Sequence, residues 1–164
     1  MTSKKKSKKK EKSSYTYPSL HHDVVEAVSD EIPETWYNNN YDENPRRTHS
    51  THVMGKFRCR YDSCPNHGWG SKKVAIVIKG YPGNGYNATV FSQRCRTCNK
   101  FGVFTLDEDS YVERIAYRLK KWADLDVQKP PYKGKGGGPK HEDALCEGCR
   151  LGVCAERDWE VYLD

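Results

Sequence analysis

The seven cysteines of this 164-residue chain fall into three close sets: Cys59-x4-Cys64, Cys95-x2-Cys98 and Cys146-x2-Cys149-x4-Cys154. No other feature constrains the fold as much. Two thiolates separated by two to four residues in a tight turn can point at one ion, and two such turns complete a tetrahedron. Cys59, Cys64, Cys95 and Cys98 make one four-ligand set. The third set has three cysteines and needs a fourth donor, which His141 supplies from four intervening residues ahead of Cys146. Eight ligands then form two closed sites and leave no cysteine over. The histidine and the ribbon-like setting favour two Zn²⁺ ions over iron–sulfur, although spacing alone leaves iron open. His67 follows the first pair, but Cys64 already completes it. His21, His22, His49 and His52 are read as surface or packing residues.

Composition makes a metal-held fold reasonable. Only 35% of residues are hydrophobic and 30% are charged. So polar a domain buries little apolar area, and a structural zinc site can add ~10–16 kcal/mol of apparent binding free energy. No stretch approaches the ~18 apolar residues of a membrane span. No apolar h-region follows Met1-Thr2-Ser3-Lys4-Lys5-Lys6, so the expectation is an intracellular protein of cytoplasm or nucleus. Reducing conditions there disfavour disulfides.

The formal charge of +6 is unevenly spread. Residues 1–14 read as a disordered lysine-rich tail, with seven lysines against Glu11, which accounts for the whole excess. Its readings are nuclear import, contact with a polyanion, or solvation. The body is neutral but polarised: −3 over residues 13–58, +6 over 59–105 and −3 over 106–164. Four thiolates on Zn²⁺ leave −2, so the central block falls to about +4 once its site is filled.

The expected fold class is α+β: a zinc-ribbon-like antiparallel sheet, one long helix and a C-terminal zinc knuckle. Residues 15–52 form an extension with a short helix capped by Ser19, and residues 53–164 the zinc-binding domain. Strands are expected over Val53–Cys59, Lys73–Lys79, Tyr86–Arg94 and Phe101–Phe104. Asn84-Gly85 suits a two-residue type I′ turn between the second and third. Ser110-Tyr111-Val112-Glu113 reads as a capping box. It opens a helix to about Leu125 with Val112, Ile115, Ala116, Leu119 and Trp122 on one face. Asp126 to Lys140 ends the helix, and within it the glycine-rich Lys133–Pro139 reads as a flexible linker.

Enzyme motifs are missing. A zinc deaminase uses H-x-E followed well downstream by P-C-x-x-C. Here His141-Glu142-Asp143 has Asp in place of that Glu, and the cysteines follow almost at once. Neither a nucleophile elbow nor H-E-x-x-H occurs, so the expectation is a non-enzyme.

The residues Met54-Gly55-Lys56-Phe57-Arg58-Cys59, Trp69-Gly70-Ser71, Gln93-Arg94-Cys95-Arg96-Thr97-Cys98, Tyr111-Val112-Glu113-Arg114 and His141 through Cys154 occur in order. This series resembles the three-CxxC zinc-finger family, in its short, fungal-type form. The resemblance implies relation to receptor-transporting proteins and to zygote arrest proteins, whose cysteine-rich end binds RNA. The first pair departs from the family pattern, with four intervening residues instead of two. No apolar stretch here corresponds to the membrane-anchoring tail of receptor-transporting relatives, so their role is not expected to carry over directly.

Two functions are in view. The first is nucleic-acid binding, RNA preferred, with candidate contacts Arg58, Arg60, Trp69, Lys72, Lys73, Arg94, Arg96 and Lys100. Tyr61, Tyr81, Tyr86 and Phe91 lie among these cations, and aromatic faces stack bases while cations follow phosphates. Basic residues beside the cysteines have a second use, neutralising the thiolate cluster. The alternative function is a protein-interaction or trafficking adaptor that docks through the acidic flanks and the Trp36/Tyr37/Tyr41 loop.

Overall fold

The computed structural model describes residues 12–61, 63–125 and 141–155. Most of the lysine tail, Asp62, residues 126–140 with the expected linker, and the last nine residues lie outside them. The elements are β1 (Ser14–Tyr15), α1 (His21–Val28), β2 (Trp36–Tyr37), β3 (Arg47–Arg58), β4 (Gly68–Tyr81), β5 (Gly85–Phe91), β6 (Val103–Leu106), α2 (Glu108–Trp122) and α3 (Glu147–Arg150). They build a mixed α/β fold on one sheet, in the order β1-β5-β4-β3-β6, with β2 added in parallel to β5. The pairs β1–β5, β3–β4, β3–β6 and β4–β5 are antiparallel.

β3 and β4 are longer than the apolar runs that mark them, because each extends by pairing with the other from Arg47↔Gly80 to Arg58↔Gly68. Between Val53↔Val74 and Gly55↔Ser71 the ladder shifts, so Lys72 and Lys73 together oppose Met54 as a bulge. The β4–β5 turn also differs from expectation. Tyr81 pairs with Gly85, which leaves Pro82-Gly83-Asn84 as a three-residue loop. Gly83 (φ 74°) and Asn84 (φ 63°) supply its left-handed backbone.

Alternation along the strands divides the sheet into two faces. Val74, Ile76 and Ile78 of β4, with Ala88 and Val90 of β5, are all fully buried against the helices. Val24 and Val28 of α1, and Tyr111, Ile115, Ala116 and Leu119 of α2, cover that face. Ala75 points the other way, into a second cluster with Cys146, Cys149 and Cys154. Phe57 stacks between Trp69 (centroids 5.0 Å) and Phe104 (4.7 Å), and so closes the core beside β6.

The helices are short, which corrects the expectation of one long helix: α2 has 15 residues. It starts earlier than the Ser110 capping box implies, because Asp107 is the N-cap and its Oδ1 accepts the Ser110 amide at 3.1 Å. The Ser110 hydroxyl is used elsewhere: it donates to the Asp107 carbonyl (2.8 Å) and accepts the Met54 amide (3.0 Å), which fastens the helix start to β3. The helix ends at Ala123, and Asp124 turns to φ 59°. α1 follows a 3-10 turn at Pro18–Leu20 and has Leu20, not Ser19, at its N-cap. In the N-terminal loop, Tyr37 turns inward onto Tyr86 and bonds Tyr41, while Trp36 stays 40% exposed.

Ile115 joins α2 to the sheet with no exposed surface. Ile115→Ala should lower the unfolding free energy of zinc-loaded protein by about 2–5 kcal/mol, read as a drop in the urea midpoint without a change in slope.

Candidate metal centres

The first centre sits where two strand ends meet a turn. Cys59 directly follows β3, Cys64 precedes β4, and Cys95 and Cys98 lie in the turn after β5. Local bonds shape both loops. The Cys64 amide donates to the Tyr61 carbonyl (3.0 Å), and Cys59 reaches the His67 carbonyl (3.3 Å). The Cys95 amide bonds Lys100 (2.8 Å), while Asn99, at φ 58°, returns its amide to Cys95 (2.8 Å). The four sulfurs gather within 4.8 Å of one another. Cys59 Sγ is 3.6 Å from Cys98 Sγ, and Cys64 Sγ is 3.8 Å from Cys95 Sγ. Disulfides need ~2.05 Å, whereas a zinc tetrahedron with ~2.3 Å bonds has edges of ~3.8 Å. The spacing therefore fits one ion. The four-residue gap in the first pair is absorbed by the loop between Cys59 and Cys64, without spreading the sulfurs.

The second centre lies on the sheet face opposite the helices. Cys146 is the N-cap of α3 and its Sγ accepts the Cys149 amide at 3.4 Å, so the knuckle and the helix start are the same turn. Gly152 (φ 73°) reverses the chain, and the amides of Val153 and Cys154 bond the Gly148 carbonyl (2.9 and 3.2 Å). His141 Nε2 lies 3.3 Å from Cys149 Sγ and 3.7 Å from Cys154 Sγ. All four donors again fall within 4.8 Å. The knuckle presses on the sheet so closely that a Cβ at Gly148 would lie 2.6 Å from Ala75 Cβ.

The thiols themselves call for a cation. Hydrogen bonds from the Cys154 and His141 side chains and the Cys149 amide outweigh burial and pull Cys146 far below the usual thiol range. Burial, then the neighbouring Cys146 charge, pushes Cys149 up to about 12. In the first cluster burial raises Cys95, but the Cys98 and Thr97 amides and its thiol neighbours outweigh that and lower it. Cys64 and Cys98 go up, chiefly through desolvation. Burial thus opposes ionisation of most of these thiols, an opposition that a divalent ion overcomes by taking all of them as thiolates.

The family model for 3CxxC zinc ribbons, described as a zinc-binding domain, matches residues 52–152. The chain belongs to this zinc-ribbon family. No curated protein and no solved structure matches it. Family and geometry agree on the cofactor: the two four-ligand clusters fit two zinc ions. Cys154 falls just beyond the matched span, yet its sulfur completes the second cluster.

The nucleic-acid candidates divide into two groups. Arg94 is half-buried, 4.0 Å over the Phe101 ring, bonded to the Asn99 carbonyl and 4.0 Å from Glu147. Arg96 pairs with Glu142. Trp69 is committed inward, stacked on Phe57 and donating to Gln93 Oε1 at 3.1 Å. Lys73 is half-buried at the bulge. Arg58 and Lys100 are exposed and Arg60 is half-buried, each within two residues of a first-centre cysteine, while Lys72 is exposed further along the sheet at the bulge. Of the accompanying aromatics, Tyr81 and Tyr86 are buried while Tyr61 is 44% exposed. Sequence reading passed over Lys56, exposed on β3 between two buried-face residues, for which alternation was the available signal. It also passed over Glu147, a buried carboxylate held by Arg150 and Arg94.

Cys95→Ser and Cys146→Ser should each remove about one of the two zinc equivalents, measured by elemental analysis of purified protein. Protons compete with zinc for thiolates. Zinc should therefore stay bound at neutral pH and leave on acidification, with circular dichroism changing as it leaves. Metal retention through acid would contradict the thiolate assignment.

Proposed function

We propose that this chain is a structural zinc module whose exposed cationic strip beside the first centre binds single-stranded RNA. The observation that carries the reading is the state of the charges. Among the described residues no carboxylate pairs with Lys56, Arg58, Arg60, Lys72 or Lys100. These five cations outweigh the −2 of a four-thiolate zinc centre together with Asp62. Lys56 and Arg58 lie opposite Gly70 and Gly68, and a Cβ at Gly70 would meet nothing within 4 Å. A phosphate would thus reach Lys56 and Arg58 over the glycines on one flank, with Thr105 and Val103 of β6 on the other, and Tyr61 offers a face on which a base can stack. The motif resemblance to zygote arrest proteins supports the same reading. By its sequence the lysine tail would add salt-sensitive, sequence-independent affinity, and would suit a nuclear or cytoplasmic protein. Four protein ligands at each centre match structural zinc and not a catalytic site, so no enzymatic role is proposed.

The exposed indole of Trp36 favours a second reading, an adaptor that docks a protein partner. Pull-downs with and without RNase separate the two, since partners that survive digestion support the adaptor. For the RNA reading, affinity for a labelled single strand should fall steeply from ~50 to ~200 mM salt. Arg58→Gln with Lys72→Gln should lower the slope of log affinity against log salt by about 1.4. Arg96→Gln, already paired with Glu142, should leave it unchanged. Affinity that ignores salt would refute the proposal.

A further inference from the structure

We propose that His52 is a positioning residue of the second centre, donating its Nε2–H to the Cys154 thiolate. His52 lies on β3 directly opposite Ala75 on β4, and opposed residues of paired strands project from the same face. That face is the one on which the Cys146–Cys154 segment docks, since Ala75 shares a cluster with Cys146, Cys149 and Cys154. The imidazole is 9% exposed, and a polar ring at that depth requires hydrogen-bond partners. Its Nε2 lies 3.7 Å from Cys154 Sγ, within reach of an N–H···S bond. The His52 and His141 ring centroids are 6.1 Å apart, so the Cys154 sulfur has an imidazole on each of two sides.

The two rings have different tasks. His141 Nε2 belongs to the group of donors that all lie within 4.8 Å of one another, and His52 does not. His52 therefore stands beside the tetrahedron, not at one of its corners. Three thiolates and a neutral histidine on Zn²⁺ leave an excess of −1 in a buried place, and N–H donors to sulfur stabilise that charge. Cys146 takes such a donor from its own knuckle, the Cys149 amide. Cys154 lies outside the knuckle, and its donor comes from the central sheet, 102 residues away in sequence. With Nε2 as the donor, the tautomer is fixed with Nδ1 unprotonated.

Two substitutions separate this role from simple packing. His52→Phe keeps a ring but has no donor, and His52→Gln keeps a side-chain N–H. The Phe variant should still bind two zinc ions but hold one about 10–100-fold more weakly in a chelator competition. The Gln variant should recover most of that loss. With Co²⁺ as the probe, the Phe variant should keep tetrahedral d–d absorption at both centres while the sulfur-to-metal charge-transfer band of one shifts. His141→Ala should instead lose the tetrahedral signature of that centre. Zinc held by the Phe variant as tightly as by the unmodified chain overturns the proposal. So does a Phe variant that loses tetrahedral Co²⁺ as His141→Ala does, for His52 would then be a ligand. If the Phe variant fails to fold, imidazole ¹⁵N spectra of the zinc-loaded unmodified protein decide. A proton on His52 Nε2 is expected, and a bare, metal-shifted Nε2 overturns the assignment.

Discussion

The constraint on which the rest depends is the crowding of thiolates at two points of one sheet. At the first point, two strand ends and a turn from separate parts of the chain bring four sulfurs to the edge length of a zinc tetrahedron. Apolar packing alone does not favour four thiolates so close together, because like charges repel. The ion is therefore a cross-link as well as a charge. It ties the ends of β3 and β4 to the turn after β5, which is the same hairpin system that carries the hydrophobic core.

The second centre is bound to the first through backbone. Ser92, Gln93 and Arg94 continue beyond β5, with the Arg94 amide on the Leu145 carbonyl (2.8 Å) and the Glu147 amide on the Ser92 carbonyl (3.1 Å). Cys95 is the next residue along that segment, and Cys146 lies between the two bonded positions. Around this seam Arg94 and Arg150 converge on buried Glu147, and Arg96 pairs with Glu142. These arginines neutralise acids that hold the two knuckles together. That use explains why the +6 of the central block overstates the charge open to a partner, which collects instead around Lys56, Arg58, Arg60, Lys72 and Lys100.

All eight metal ligands were legible in the sequence because each set is local: spacing within a turn decides whether sulfurs can converge. The apolar face of α2 was legible for a similar reason, since a period of 3.6 residues repeats along it. Whatever depended on register was not legible. His52 read as a surface or packing residue because its approach to Cys154 depends on the β3–β4 pairing and on where a distant knuckle docks. Trp69, Tyr81 and Tyr86 looked available to bases, yet tertiary packing turns them inward. The start of α2 was misplaced because Asp107 competes with Ser110 for the cap, and Ser110 has a better use against Met54. The two-residue turn gave way to three because the ladder closes at Tyr81↔Gly85.

The order of the ligands along the chain has a consequence for biosynthesis. Cys59, Cys64, Cys95 and Cys98 all leave the ribosome before His141 does, as do all the strands of the sheet among the described residues. The platform can thus capture its first ion while the segment that carries the other ligands is still being translated. When that segment emerges it meets an edge already in place at Ser92–Arg94, and its three cysteines need only fold onto it.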